Sequence, residues 1–252
     1  MDLAYTTEDK TRRWEYHREI KNLMGKYMYS QLLCREHEIY ERFWSKRQDV
    51  CLGLNAGWYS GREAVQQYLN AIYRTNLKIG LFMQKIFPEK LAGKTAEELL
   101  GAGPYNSKPI SSAVIEIAED EKTAKGLWYS RGSEVKITPS GPVSYWTWGC
   151  YAVDFVYEEN AWKIWHLRYL EDIHTPCGQS WGRVIFDYPK IEGFEDADNL
   201  YAEIPAPNVP KPLREQYHPN RPFTKLPDYP EPYATFAATF SYGMEGEHAR
   251  YA

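Results

Sequence analysis

His166 and Arg168 close a stretch in which Trp162 and Ile164 come first at the same two-residue spacing. Alternation with a period of two is the mark of a β-strand. One face of that strand starts greasy and ends ionisable, as a pocket wall does when it runs from a core toward a reacting ligand. Histidine exchanges protons near neutral pH. The planar guanidinium of arginine suits a phenolate, a carboxylate or an oxyanion. His166 is therefore a candidate for proton transfer and Arg168 for stabilising negative charge. Each also has a plainer use, as a hydrogen-bonded core histidine and a salt-bridged arginine near a sheet edge. His166, Asp172 and His174 fit no standard ligand motif, so no metal is expected. The sequence has no GxGxxG, P-loop, GxSxG or HExxH pattern, and no cofactor is expected.

That strand needs partners. Tyr151, Val153 and Phe155 alternate on the strand before it, and Glu158-Glu159-Asn160 makes the turn between them. Strand patterns also cover Ile110–Ala118, Thr123–Arg131 and Val143–Tyr157, with Trp162–Leu170 as the last. Upstream, helical periodicity predicts helices over about 7–33, 35–47 and 62–77. Ile20, Leu23, Met24, Tyr27 and Gln31 share one face of the first. Ser60, with Glu63 three residues on, reads as the cap of the third. Helices followed by antiparallel strands give an α+β fold.

Composition sets outer bounds. A net charge of −4 and a pI near 5.9 leave no basic footprint for nucleic acid. No apolar run approaches the ~20 residues of a membrane span. The N-terminus shows no apolar signal segment. The four cysteines lack metal or disulfide spacing, which fits reduced thiols in the cytoplasm. Aromatic residues make up 15% of the chain, enough to serve both a core and an aromatic ligand. Eleven of the 16 prolines follow Thr175, among aromatics that include Trp181, Phe186, Tyr217, Phe223, Tyr229, Tyr233 and Phe236. Disordered tails have few aromatics. Residues 176–252 are thus expected to form an ordered, extended strap on residues 1–175 or on a neighbouring subunit.

Several pieces in order carry a resemblance: Ile20-x-x-Leu23-x-x-x-Tyr27, Asp49-Val50, Tyr59-x-Gly61-Arg62-Glu63-Ala64, Ile115-Glu116-Ile117 with Thr123-Ala124 and Trp128, then Tyr151 and Trp162-Lys163-Ile164. Over about residues 12–175 the chain resembles a SnoaL-like domain of the NTF2-like superfamily. The resemblance implies a curved antiparallel sheet wrapped around helices as a cone with a ligand cavity inside. It also implies a homodimer or homotrimer, and proton transfer by side chains without a cofactor. It places Tyr27 on the pocket face of the first helix and the Tyr151 face of its strand in the pocket. Trp146 and Trp148 would then face away. Gln31 lies beside Leu32, where the family often has an Asp. No His precedes the strand of Ile115, so the family's usual His–Asp dyad is missing. Tyr27, His166 and Arg168 are the expected catalytic residues, with Gln31, Trp44, Tyr59, Trp128 and Tyr151 binding substrate. The reaction expected is that of a cofactor-independent lyase on a small aromatic molecule. One version is deformylation of a phenolic, lignin-derived diaryl compound to a stilbene. A dehydratase or isomerase of a hydroxylated polycycle, or a non-catalytic binding protein, are the alternatives.

Overall fold

The computed structural model describes residues 5–179, 190–211, 215–218, 222 and 227–244. Trp181, Phe186 and Phe223 lie outside the described residues, as does much of the expected strap.

Thr6 and Asp9 cap each other's backbone N–H groups and start α1, Thr7–Leu32. The second helix, α2, is Glu36–Phe43, shorter than 35–47, because Trp44 turns extended and bridges Ile164 of the sheet. The third, α3, runs Arg62–Ile86 and so continues well past residue 77. Ile79 and Met83 keep its face buried, and Gly80 lets Leu99 approach to where a Cβ would meet it at 2.8 Å. Pro88 opens the short α4, Pro88–Leu91. Ser60 does not cap α3. It belongs to a strand, and Gly61 occupies the cap with φ of 92°, a conformation that suits glycine.

The sheet contains β1 (Cys51–Leu54), β2 (Gly57–Ser60), β3 (Tyr105–Ser107), β4 (Ile110–Ile117), β5 (Thr123–Thr138), β6 (Gly141–Glu158) and β7 (Ala161–Pro176). Its order is β2-β1-β7-β6-β5-β3, and β4 also pairs with β5. The β1–β7 pair is parallel and the others antiparallel. β5, β6 and β7 have 16, 18 and 16 residues, longer than alternation alone suggests. Strand β7 slips register against β6 twice, between Asp154 and Phe155 and between Trp148 and Gly149. Each slip inserts one residue, Trp165 and then Asp172, and reverses which face the next side chain takes.

The main core lies between the helices and the inner face of the sheet, around Ile20, Met24, Leu69, Trp128, Phe155 and Ile164. Described C-terminal segments pack on the same chain. Phe194 and Ala197 join Ile79 and Met83 of α3. Val209 exchanges backbone hydrogen bonds with Trp58. Phe240 and Tyr242 cover Ala152 on the outer face. Among the described residues no helix is long and apolar enough to cross a membrane.

Candidate active site

The inner face of the sheet is read from its register. Trp128, Tyr151 and Tyr169 stand side by side on β5, β6 and β7. With a period of two, Ser130, Gly132 and Glu134 follow on β5, and Gly149, Thr147 and Tyr145 on β6. Glu171 faces inward opposite Gly149, and the extra residue Asp172 then brings His174 inward opposite Thr147.

A cavity of about 80 Å³ lies between this face and α1 and α3. Tyr27 and Gln31 reach it from α1, Tyr68 from α3, Tyr151 and Tyr169 from the sheet, and Lys108 from the β3–β4 link. The hydroxyls of Tyr27, Tyr68, Tyr151 and Tyr169 all titrate above the usual tyrosine value, chiefly because burial disfavours phenolate. Protonated phenols of this kind can donate hydrogen bonds into the cavity.

Lys108 and Tyr169 connect the cavity to an ionisable network. The Lys108 ammonium sits 4.8 Å from the centre of the Tyr169 ring and 3.7 Å from Glu134 Oε2. Lys136 Nζ and His174 Nε2 each lie 2.9 Å from Glu134 Oε1, and His174 Nδ1 is 3.5 Å from Glu171 Oε1. Burial opposes ionisation of Glu134. His174, Lys108 and Lys136 outweigh it and hold the carboxyl below the ordinary range. On the same face, the hydroxyls of Ser130, Thr147 and Tyr169 are buried, with Thr147 and Tyr169 close enough to interact. Buried polar atoms are nearly always bonded, so this cluster is a polar lining beside the cavity.

The expected site residues divide. Tyr27, Gln31 and Tyr151 line the cavity together. Tyr59 faces inward against Tyr68, with ring centres 4.3 Å apart, and its hydroxyl donates to the Pro205 carbonyl. Trp44 and Trp128 are buried in the apolar core and do not line the cavity. His166 and Arg168 are a correction, because neither points into the cone. Trp162 and Ile164 do face inward, but the inserted Trp165 turns the next residues over. His166 pairs across to Asp154 on the outer face, and the Arg168 guanidinium lies 5.5 Å from the centre of the Trp58 ring.

Sequence reasoning missed Lys108, Glu134, Tyr68 and Tyr169 as site residues and weighed His174 only as a metal ligand. The signal for His174 was present. Apolar alternation in β7 slips at the neighbouring Ile164 and Trp165, and it breaks again at Asp172. Glu36 was also missed. It is buried at the start of α2, and burial pushes its carboxyl up to about 7. Its charge is felt at Tyr27 and Tyr68. Among the described residues no group of three or more His, Cys, Asp and Glu is arranged to hold a metal ion.

The outer face carries a different arrangement. Lys125 and Asp154 form a salt bridge with side chains 0% exposed. Rings of Phe236, Phe240 and Tyr242 surround the ammonium at 5.1, 4.5 and 4.4 Å. Asp154 also accepts from the Ser241 hydroxyl at 3.0 Å and the Tyr242 backbone N–H at 2.8 Å. Burial opposes its charge, but Lys125 and His166 prevail and keep its carboxyl below the ordinary value.

A family model described as SnoaL-like domain matches residues 12–168. None of the curated proteins matches the chain. Solved structures similar to it include a protein of unknown function from Mycobacterium tuberculosis, 13% identical, covering 84% of this chain and 100% of that one with a TM-score of 0.47. A putative scytalone dehydratase from Novosphingobium aromaticivorans is 16% identical, with 68% and 99% covered and a TM-score of 0.45. A hexachlorocyclohexane dehydrochlorinase from Novosphingobium barchaimii is 13% identical, with 71% and 99% covered and a TM-score of 0.47.

Proposed function

The chain belongs to the SnoaL-like domain family, and from that premise we propose that it is a cofactor-independent lyase acting on a small phenolic molecule in the cone. One observation carries this reading. Four neutral tyrosines line a cavity that adjoins Lys108, and behind Lys108 stands a Glu134–His174 pair.

The roles follow from the chemistry of each group. His174 takes a proton from a substrate hydroxyl at Nδ1, where Glu171 stands back at 3.5 Å, while Glu134, 2.9 Å from Nε2, accepts the other ring N–H. Lys108 and the tyrosine hydroxyls hold negative charge as it develops on oxygen, in a site where burial strengthens each contact. The tyrosine donors are fixed before substrate arrives, because their phenols stay protonated.

Cavity size supports a substrate with two lobes. About 80 Å³ is less than the ~150 Å³ of a cavity known to take a benzene ring. An apolar groove of about 320 Å³ lies next to it, between Met28, Tyr29 and Leu32 of α1 and Pro109 and Ile110, and Lys108 lines both spaces. A substrate places its reacting hydroxyl by Lys108 and its aromatic bulk in the groove. For a diaryl 1,3-diol the steps balance as follows. His174 removes the terminal hydroxyl proton, and the oxygen lone pair forms the carbonyl of formaldehyde. The carbon–carbon bond breaks, and its electrons form the alkene. The benzylic hydroxyl leaves and becomes water with a proton from Lys108.

The test is a turnover screen of the purified protein against phenolic diaryl diols and hydroxylated polycycles, read by mass spectrometry. Products lighter by formaldehyde and water fit the deformylating lyase. Loss of water alone moves the reaction to dehydration in the same cavity. Saturable binding without product overturns the enzyme reading in favour of a ligand carrier.

A further inference from the structure

The outer face of the sheet holds a second cavity of about 360 Å³, whose lining includes Arg47, Asp49, Ser60, Trp165, His166 and Phe236. It exceeds the ~150 Å³ that accommodates a benzene ring. The chemistry of the cone makes no use of it.

His166 is presented to this cavity in one orientation. Asp154 Oδ2 lies 2.9 Å from Nδ1, and the Ser241 hydroxyl lies 3.3 Å from the same nitrogen. A carboxylate on Nδ1 assigns the proton there and leaves the lone pair on Nε2. Nε2 has no partner among the described residues, and the side chain keeps 9% exposure. The ring is packed on both sides. Trp165 stacks on it at 4.4 Å, and the Gly243 backbone lies so close that a Cβ there would come within 2.8 Å of the imidazole.

The surroundings are partly charged and partly aromatic. Asp154 and Lys125 face the imidazole from β6 and β5. Arg47 and Asp49 stand ahead of β1, hydrogen-bonded to each other twice at 2.9 Å, with Arg47 4.4 Å from the centre of the Trp165 ring. The Cys51 thiol on β1 also lines the cavity. Burial, with the charges of Asp154 and Asp49 adding to it, pushes it up to about 12, so it stays neutral. Trp165 and Phe236, with ring centres 4.5 Å apart and planes tilted by 43°, form an aromatic wall.

We propose that this cavity is a second ligand site, made for a small planar molecule with a weakly acidic hydroxyl whose proton passes to His166 Nε2. The ligand O–H bond breaks, an N–H bond forms, and the electron pair stays on the ligand oxygen. Asp154 supports the resulting imidazolium through Nδ1. Arg47 shares the wall with the anion, and the aromatic wall takes the ring. The site is separated from the cone by the sheet and does not depend on the lyase reading.

The test uses 4-nitrophenol, whose anion absorbs visible light and whose neutral form does not. Full-length protein is titrated with the probe at a pH where the free probe is mostly neutral. A saturable anion band is expected with the unaltered protein. His166→Asn should weaken that binding by at least about tenfold, the loss of one strong contact. Ser60→Phe fills the cavity without touching the Asp154–His166 pair, and it keeps the Ser60 backbone bonds to Asn208. It should remove the His166-dependent part of the band even where His166→Asn impairs folding. The Tyr27→Phe/Lys108→Met double variant, which takes away any phenolate held in the cone, should keep that His166-dependent part. No band, a band that Ser60→Phe leaves undiminished, or a band lost entirely in the cone variant overturns the proposal.

Discussion

His166 and His174 share one strand and serve opposite faces of the sheet. Each has a carboxylate oxygen 2.9 Å from a ring nitrogen, Asp154 for one and Glu134 for the other. The difference lies in what else holds each carboxylate. Asp154 is engaged by Lys125, Ser241 and the Tyr242 backbone, in a network closed over by aromatic rings. Glu134 is held by Lys136 and Lys108, and Lys108 itself lines the cone cavity. Satisfied polar networks rigidify their surroundings. The first network is sealed except at the His166 ring, whereas the second reaches the cavity through a cation. Two histidine–carboxylate pairs of equal length can thus differ in which member meets a cavity.

Separating the two faces by mutation gives the strongest test of that contrast. His174→Asn should cut turnover by about 10²–10⁴-fold, the usual worth of a positioned acid–base group, with unfolding free energy little changed. Steady-state rates with chemical denaturation check both halves, and a variant that loses stability instead would break the contrast. Lys125→Met on the outer face should do the reverse. It leaves a buried carboxylate without its main counter-charge, at a cost of about 3–5 kcal/mol in denaturant unfolding. Limited proteolysis should then cut the C-terminal segment that covers it.

The pH dependence of stability sharpens the account of the helix side. Glu36 has a folded-state pKa of about 7 against an ordinary value of 4.5. Its raised value means that the folded state binds the proton more tightly. The contribution is fully present below about pH 4.5 and is lost as pH rises through about 7. Glu36→Gln should flatten that fall, worth about 1–3 kcal/mol between those limits, in melts run across the range. Thr6→Ala removes the α1 cap and should cost about 1 kcal/mol while sparing both histidine pairs. A change in turnover with this variant would show that α1 transmits strain to Tyr27.

Much of the frame was legible as pattern. Alternation marked β4 to β7, and 3.6-residue spacing marked α1 and α3, because burial on one face imposes those periods directly. β2 and β3 escaped notice because three or four residues carry too little alternation. The cavity side of Tyr27, Gln31 and Tyr151 followed from the family resemblance. Inserted residues are harder to read, since one extra residue reverses every side chain beyond it while leaving composition unchanged. That is why His166 was read into the cone and His174 was given no place in it. Lys125 was not legible at all. A lysine alternating with Leu127 on β5 reads as solvent-facing, and only a segment more than a hundred residues later buries it.

That long separation has a consequence in time. Chains are made from the N-terminus, and domains begin to fold as they emerge. β5 and β6, with Lys125 and Asp154, are complete long before Phe236 to Tyr242 exist. The pair therefore first meets on an open sheet face in water, where each charge keeps its hydration. Dehydration is postponed until the last stretch of chain arrives with its rings and the Tyr242 N–H to replace the lost water.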